Sequence, residues 1–185
     1  MNTDIFLSRQ TLLGLLFAQS ATVILHWSRL PIWLVVLAAL VLIWRIQIYR
    51  NQWSYPNRLI RLFLVIFSMV AIVGYYQEWY ALEPMVILLI IAFLLKLLEV
   101  DRQRDAIVLI FVGYFVAASA FLFEQSIIST VIGILVLWLL TACLLVLNSS
   151  EIYYFSRRTV RIVSVLLLQA VPIMLLMLFV FPRIG

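Results

Sequence analysis

Apolar residues in this sequence run in seven long stretches: Thr11 to Trp27, Pro31 to Trp44, Leu62 to Tyr76, Met85 to Leu98, Ala106 to Phe123, Ile127 to Leu147 and Val160 to Phe181. Charged residues gather between them or at their ends. A helix on the surface of a soluble protein keeps a polar face, but Val86 to Leu95 and Val131 to Leu140 are apolar all round. Transmembrane strands would instead alternate apolar and polar residues in short segments. In hydrocarbon every backbone N–H and C=O needs an internal partner, which leaves the α-helix for runs like these. The expected fold is therefore all-α: a polytopic membrane bundle of about seven transmembrane helices in one domain, residues 1–185. Composition agrees, with 66% hydrophobic and 11% charged residues, against roughly 45–50% and 25% in soluble domains. Five Gly and one Cys exclude a collagen repeat and a disulfide scaffold, and the low charge excludes disorder.

Arg and Lys in short loops stay on the cytoplasmic side of a membrane. With the N-terminus inside, that side holds Arg9, Arg45, Arg50, Arg58, Arg61, Lys96, Arg102, Arg104, Arg157, Arg158 and Arg161, eleven of the thirteen cations. The opposite side holds Arg29 and Arg183, together with the acidic turns that carry Glu78, Glu83 and Glu124. Seven crossings then place Gly185 outside, giving an N-in/C-out topology.

The first two spans are the shortest. Ile32 to Trp44 is 13 residues, roughly 20 Å of helix against a hydrocarbon core of about 30 Å. Either Arg45 snorkels, so that Ile46 and Ile48 lengthen the span, or the pair forms a short re-entrant hairpin joined by Ser28 to Leu30. Ala18-Gln19-Ser20 has the small-x-small pattern of a signal-peptide cleavage site. The apolar run before it, Leu12 to Phe17, is short for a signal sequence, and Asp4 weakens the basic leader.

Between helices already in lipid, close contact depends on small residues and a few polar bonds. Gly14 with Ala18, Gly113 with Ala117 and Ala120, and Ser129 with Gly133 mark expected contact faces. Twelve of the fourteen Trp and Tyr residues fall near span ends or in loops, as amphipathic rings do. Tyr114 and Trp138 sit near mid-helix, so their O–H and N–H require partners on neighbouring helices. Pro172 cannot donate to the Leu168 carbonyl, which predicts a bend beside Gln169.

Catalytic signatures are absent: no G-x-S-x-G elbow, P-loop, G-x-G-x-x-G or H-E-x-x-H occurs. One histidine and one cysteine, near opposite faces, give no catalytic, cofactor or metal site. His26 is read as an interfacial side chain and Cys143 as a small apolar one. The richest polar cluster is Lys96, Glu99, Asp101, Arg102, Arg104 and Asp105. Lys96 to Glu99 and Glu99 to Arg102 have the i, i+3 spacing that pairs opposite charges on one helix. Such a cluster either closes a cytoplasmic turn or holds lipid headgroups or a partner, and Lys96, Glu99, Arg102, Arg104 and Asp105 are the candidate interfacial residues. The cationic loop Arg45 to Arg61 suits an anionic bilayer surface rather than nucleic acid, since Trp53 and Tyr55 interrupt its arginines.

The stretches Trp44-Arg45-Ile46-Gln47-Ile48-Tyr49-Arg50, Lys96-Leu97-Leu98-Glu99 with Arg104-Asp105-Ala106, Tyr114-Phe115, and Phe121-Leu122-Phe123-Glu124-Gln125-Ser126 occur in that order. Gln169-Ala170-Val171-Pro172 and Phe181-Pro182-Arg183 follow. Together they resemble the N-terminal membrane domain of the bacterial TgpA family of transglutaminase-like inner-membrane proteins, over nearly the whole chain. The resemblance implies a periplasmic transglutaminase-like domain with a Cys-His-Asp set after Gly185, then a last membrane helix. None of that set is carried by residues 1–185, and Cys143 and His26 match none of it. The expected role is membrane anchoring and positioning of an envelope protein, without catalysis in this segment. Two alternatives stay open. One is a transporter or lipid-handling module with Lys96, Glu99, Gln169 and Pro172 lining a polar path; the other is a scaffold that recruits envelope partners.

Overall fold

The computed structural model describes residues 9–50, 52–76, 81–123, 126–148 and 157–180. Glu78, Glu124, Arg183 and Gly185, which entered the charge and topology readings, lie outside them. The described residues form seven α-helices: α1 (Arg9–Ile24), α2 (Ile32–Tyr49), α3 (Arg58–Tyr75), α4 (Leu82–Glu99), α5 (Gln103–Phe123), α6 (Ile127–Asn148) and α7 (Arg157–Val180). A single 3-10 turn, Trp27–Arg29, links α1 to α2. Among them α2, α3, α5 and α6 are long and apolar enough to cross a membrane.

Local chemistry sets several boundaries. Pro31 precedes α2 in extended conformation, as a residue without an N–H does most cheaply. Ser126 Oγ accepts the Ser129 backbone N–H at 3.2 Å and caps α6. At the start of α5, Asp105 accepts the Arg102 N–H at 3.4 Å, placing a carboxylate against the positive end of the helix. Val100 turns to extended backbone and ends α4 at Glu99. Glu99 and Arg102 therefore do not share a helix, and the expected i, i+3 pair between them is replaced by other partners.

α2 continues past Trp44 to Tyr49, 18 residues in all, or about 27 Å, so Ile46 and Ile48 do lengthen the segment, though not by the means expected. Arg45 lies inside it and does not snorkel; it is 2% exposed. The α7 helix continues through Pro172.

The centre of the bundle is α1, α4, α5 and α6. α5 packs against α6, α4 and α1, and α1 also lies along α6. α2 sits on α4 and α1, α3 chiefly on α4, and α7 on α6. The small residues work as expected: Ala18, Ala117 and Ala120 are buried. A Cβ on Gly113 would stand 3.1 Å from both Leu140 Cδ2 and Phe93 Cε2, and one on Gly133 would stand 2.5 Å from Phe121 Cζ. Tyr114 Oη meets Thr141 Oγ1 at 2.8 Å, and Trp138 Nε1 donates to Ser164 Oγ at 3.2 Å, so both mid-helix aromatics have partners on a neighbouring helix. Gln19, 1% exposed, donates across the core to the Phe93 carbonyl at 3.1 Å.

Contacts between distant residues arrange the helices up and down. Gln103 at the start of α5 bonds the Leu147 carbonyl near the end of α6, and Arg61 near the start of α3 reaches Glu99 at the end of α4. One end of the bundle thus gathers the starts of α3 and α5 and the ends of α2, α4 and α6. Most of the described arginines stand there, and it is called the arginine-rich end below.

Candidate functional site

Two polar clusters are built at the two ends of the bundle. At the arginine-rich end, Lys96 Nζ and Arg61 Nη1 each lie 3.0 Å from a different oxygen of the Glu99 carboxylate. Lys96 sits one turn before Glu99 on α4, and Arg61 comes from the first turns of α3. Glu99 lies one residue beyond the apolar stretch Met85 to Leu98. Burial pushes its carboxyl up, but the hydrogen bonds and charges of Lys96 and Arg61 outweigh that and hold it below the usual carboxylate range.

Beside this pair is a buried arginine. Arg45 Nη2 donates to the Val100 carbonyl, and its guanidinium lies 5.3 Å from the centre of the Tyr55 ring, within reach of a cation–π attraction. Tyr55 Oη in turn donates to Asp101 Oδ1 at 3.1 Å. The extended Val100, which ends α4, thereby supplies the acceptor that lets a cation sit inside α2. These neighbours, absent from any local reading of α2, are why Arg45 folds inward instead of reaching for water.

Of the five candidate residues, Lys96 and Glu99 pair directly. Asp105 binds the backbone at the start of α5, Arg102 stands in the link before it, and Arg104 is exposed on the first turn of α5. The structure adds Arg61, Arg45 and Tyr55, and ties in Asp101, which the sequence placed only in the wider cluster. Arg61 had no local signal, because its partner is 38 residues away. Arg45 had one: a cation embedded in an apolar helix with no acidic residue three or four positions away.

A groove of about 280 Å³ opens next to this cluster between α3 and α4, with Lys96 and Glu99 at one end and Leu88 at the other. Gln169 and Pro172 are on α7, which packs on α6, and the groove is lined from α3 and α4. The four residues of the proposed polar path are therefore not brought together.

At the opposite end, Arg29 pairs with Glu83 at 3.2 Å and lies 4.9 Å from the Phe123 ring centre. His26, in the turn after α1, is not the interfacial side chain expected. It is 5% exposed, with Nε2 3.2 Å from Ser119 Oγ and Nδ1 3.3 Å from the Thr22 carbonyl. A buried ring held on both nitrogens positions α1 against α5. Among the described residues no three His, Cys, Asp or Glu side chains are grouped to hold a metal ion.

The family described as the TgpA N-terminal domain matches residues 14–185. The chain belongs to that family. This TgpA N-terminal domain is 33% identical over 177 residues to a protein-glutamine gamma-glutamyltransferase of Pseudomonas aeruginosa. The match covers 96% of the chain and 26% of that protein, so the chain spans about a quarter of the relative's length. No solved structure matches the TgpA N-terminal domain described here.

Proposed function

We propose that this chain is the multi-pass membrane domain that anchors and positions a transglutaminase-like domain at the outer face of the bacterial inner membrane. In this reading all seven helices cross, the N-terminus is cytoplasmic, Gly185 emerges in the periplasm and the transglutaminase activity belongs to residues beyond it. The observation that carries the reading is the unequal charge of the two ends. Arg45, Arg50, Arg58, Arg61, Lys96, Arg102, Arg104, Arg157, Arg158 and Arg161 belong to one end, whereas Arg29 belongs to the other and is paired with Glu83. Positive charge in short connections is held on the cytoplasmic side during insertion. Kinship with a far longer gamma-glutamyltransferase, of which this chain matches one part, supports the division of labour.

Reporter fusions after Gly185 test it. Alkaline phosphatase placed there should be active and green fluorescent protein there should be dark. The reverse pattern would reject the orientation. Recovery of the chain from the soluble fraction would reject the anchoring role.

A further inference from the structure

The groove between α3 and α4 has a form that anchoring does not require. Its walls are apolar, with Val65 and Ile72 from α3 and Leu88 and Ala92 from α4, and Lys96 and Glu99 stand at one end. The hydroxyl of Ser68, which also faces it, is already donated to the Leu64 carbonyl at 2.7 Å. From Glu99 to Leu88 the groove follows α4 over twelve residues, eleven helical steps. That is about 16 Å of helix, close to half of a hydrocarbon core of about 30 Å and so the depth of one leaflet.

The charged end is lined by Lys96 and Glu99, and the cations beside it outnumber that one carboxylate. Lys96 and Arg61 share one carboxylate, Glu99, and Arg58 is exposed in the same first turn of α3. A phosphate oxygen is a strong acceptor for guanidinium and ammonium groups.

We propose that this groove binds an anionic phospholipid of the adjoining leaflet, with one acyl chain along α3 and α4 and the phosphate at Lys96 and Arg61. A transmembrane helix needs a track through the whole core and would press an apolar side against Lys96, whereas a half-depth apolar track ending in cations matches a single lipid. A zwitterionic headgroup would bring its own ammonium toward the same cations. The proposal rests on the bilayer placement above and adds a specific ligand class to it.

The test measures phospholipid retained by the full-length protein, purified in mild detergent from mixed phosphatidylglycerol and phosphatidylethanolamine, using native mass spectrometry. Phosphatidylglycerol should be retained about fivefold over phosphatidylethanolamine, the size of one cation–anionic lipid contact. Lys96→Gln should erase the preference. Ala92→Trp, which fills the groove from an exposed position, should remove the retained lipid without shifting the unfolding midpoint. Should that variant fail to fold, Ala92→Cys modified with a bulky maleimide after purification places the same block in folded protein. Equal retention of the two lipids, undiminished retention in the blocked protein, or disulfide crosslinking of Ala92→Cys to a second copy would each overturn the proposal. Recovery in the soluble fraction with no phospholipid of either kind would instead remove the bilayer placement, which separates the two failures.

Discussion

α3 and α5 are both long and apolar enough to span a bilayer, yet 11% of the α3 window and 44% of the α5 window is buried inside the bundle. Their compositions explain the difference. α5 carries Gly113, Ala117, Ser119 and Ala120 on its packed side, so neighbouring helices approach its backbone closely. α3 carries Phe63, Ile66, Phe67, Met69, Val70 and Val73 outward, and a Cβ on its Gly74 would meet nothing within 4 Å. Apolarity selects the medium in which a helix sits, and side-chain size selects what lies against it.

The most severe test of that contrast exchanges glycine for leucine in both helices. Gly113→Leu drives a branched side chain into Leu140 and Phe93 and should cost about 3 kcal/mol, the upper part of the range for overpacking. Gly74→Leu should cost nothing. Thermal unfolding of the full-length protein in detergent measures both, and an equal loss at Gly74 would mean that α3 has a second packed face. A smaller effect is expected from Tyr114→Phe, which removes the bond between α5 and α6. About 0.6 kcal/mol should be lost, typical of interhelical hydrogen bonds in membranes, while Ser68→Ala on α3 should lose less, because that hydroxyl bonds only within its own helix. The same unfolding measurement ranks the pair. The smallest effect belongs to Arg61→Gln, which cuts a half-exposed ion pair between α3 and α4 and should cost under about 0.5 kcal/mol. Its signature is local: amide hydrogen exchange should quicken in the first turns of α3 and stay unchanged in α5.

What the sequence disclosed and what it hid divide along the same line. The seven helices, the small-residue faces of α5 and α6, and the need of Tyr114 and Trp138 for partners all follow from properties of single residues or of neighbours within one helix. The Arg61 to Glu99 pair, the burial of His26 beneath Ser119 and the Gln19 bond to Phe93 depend on which distant helices become neighbours. Hydropathy carries no such information. The Lys96 to Glu99 pair was legible because it is local, whereas the Glu99 to Arg102 pair was misplaced because the extended Val100 interrupts the helix. Gln19 was visible only as part of a small-x-small pattern, although its buried amide is one of the polar links that hold α1 to α4.

The carbonyl that receives the Arg45 guanidinium belongs to Val100, 55 residues further along the chain. The last turns of α2 are therefore held by a residue that comes two helices later, so the seating of this early helix depends on a part of the sequence that no local reading of it contains.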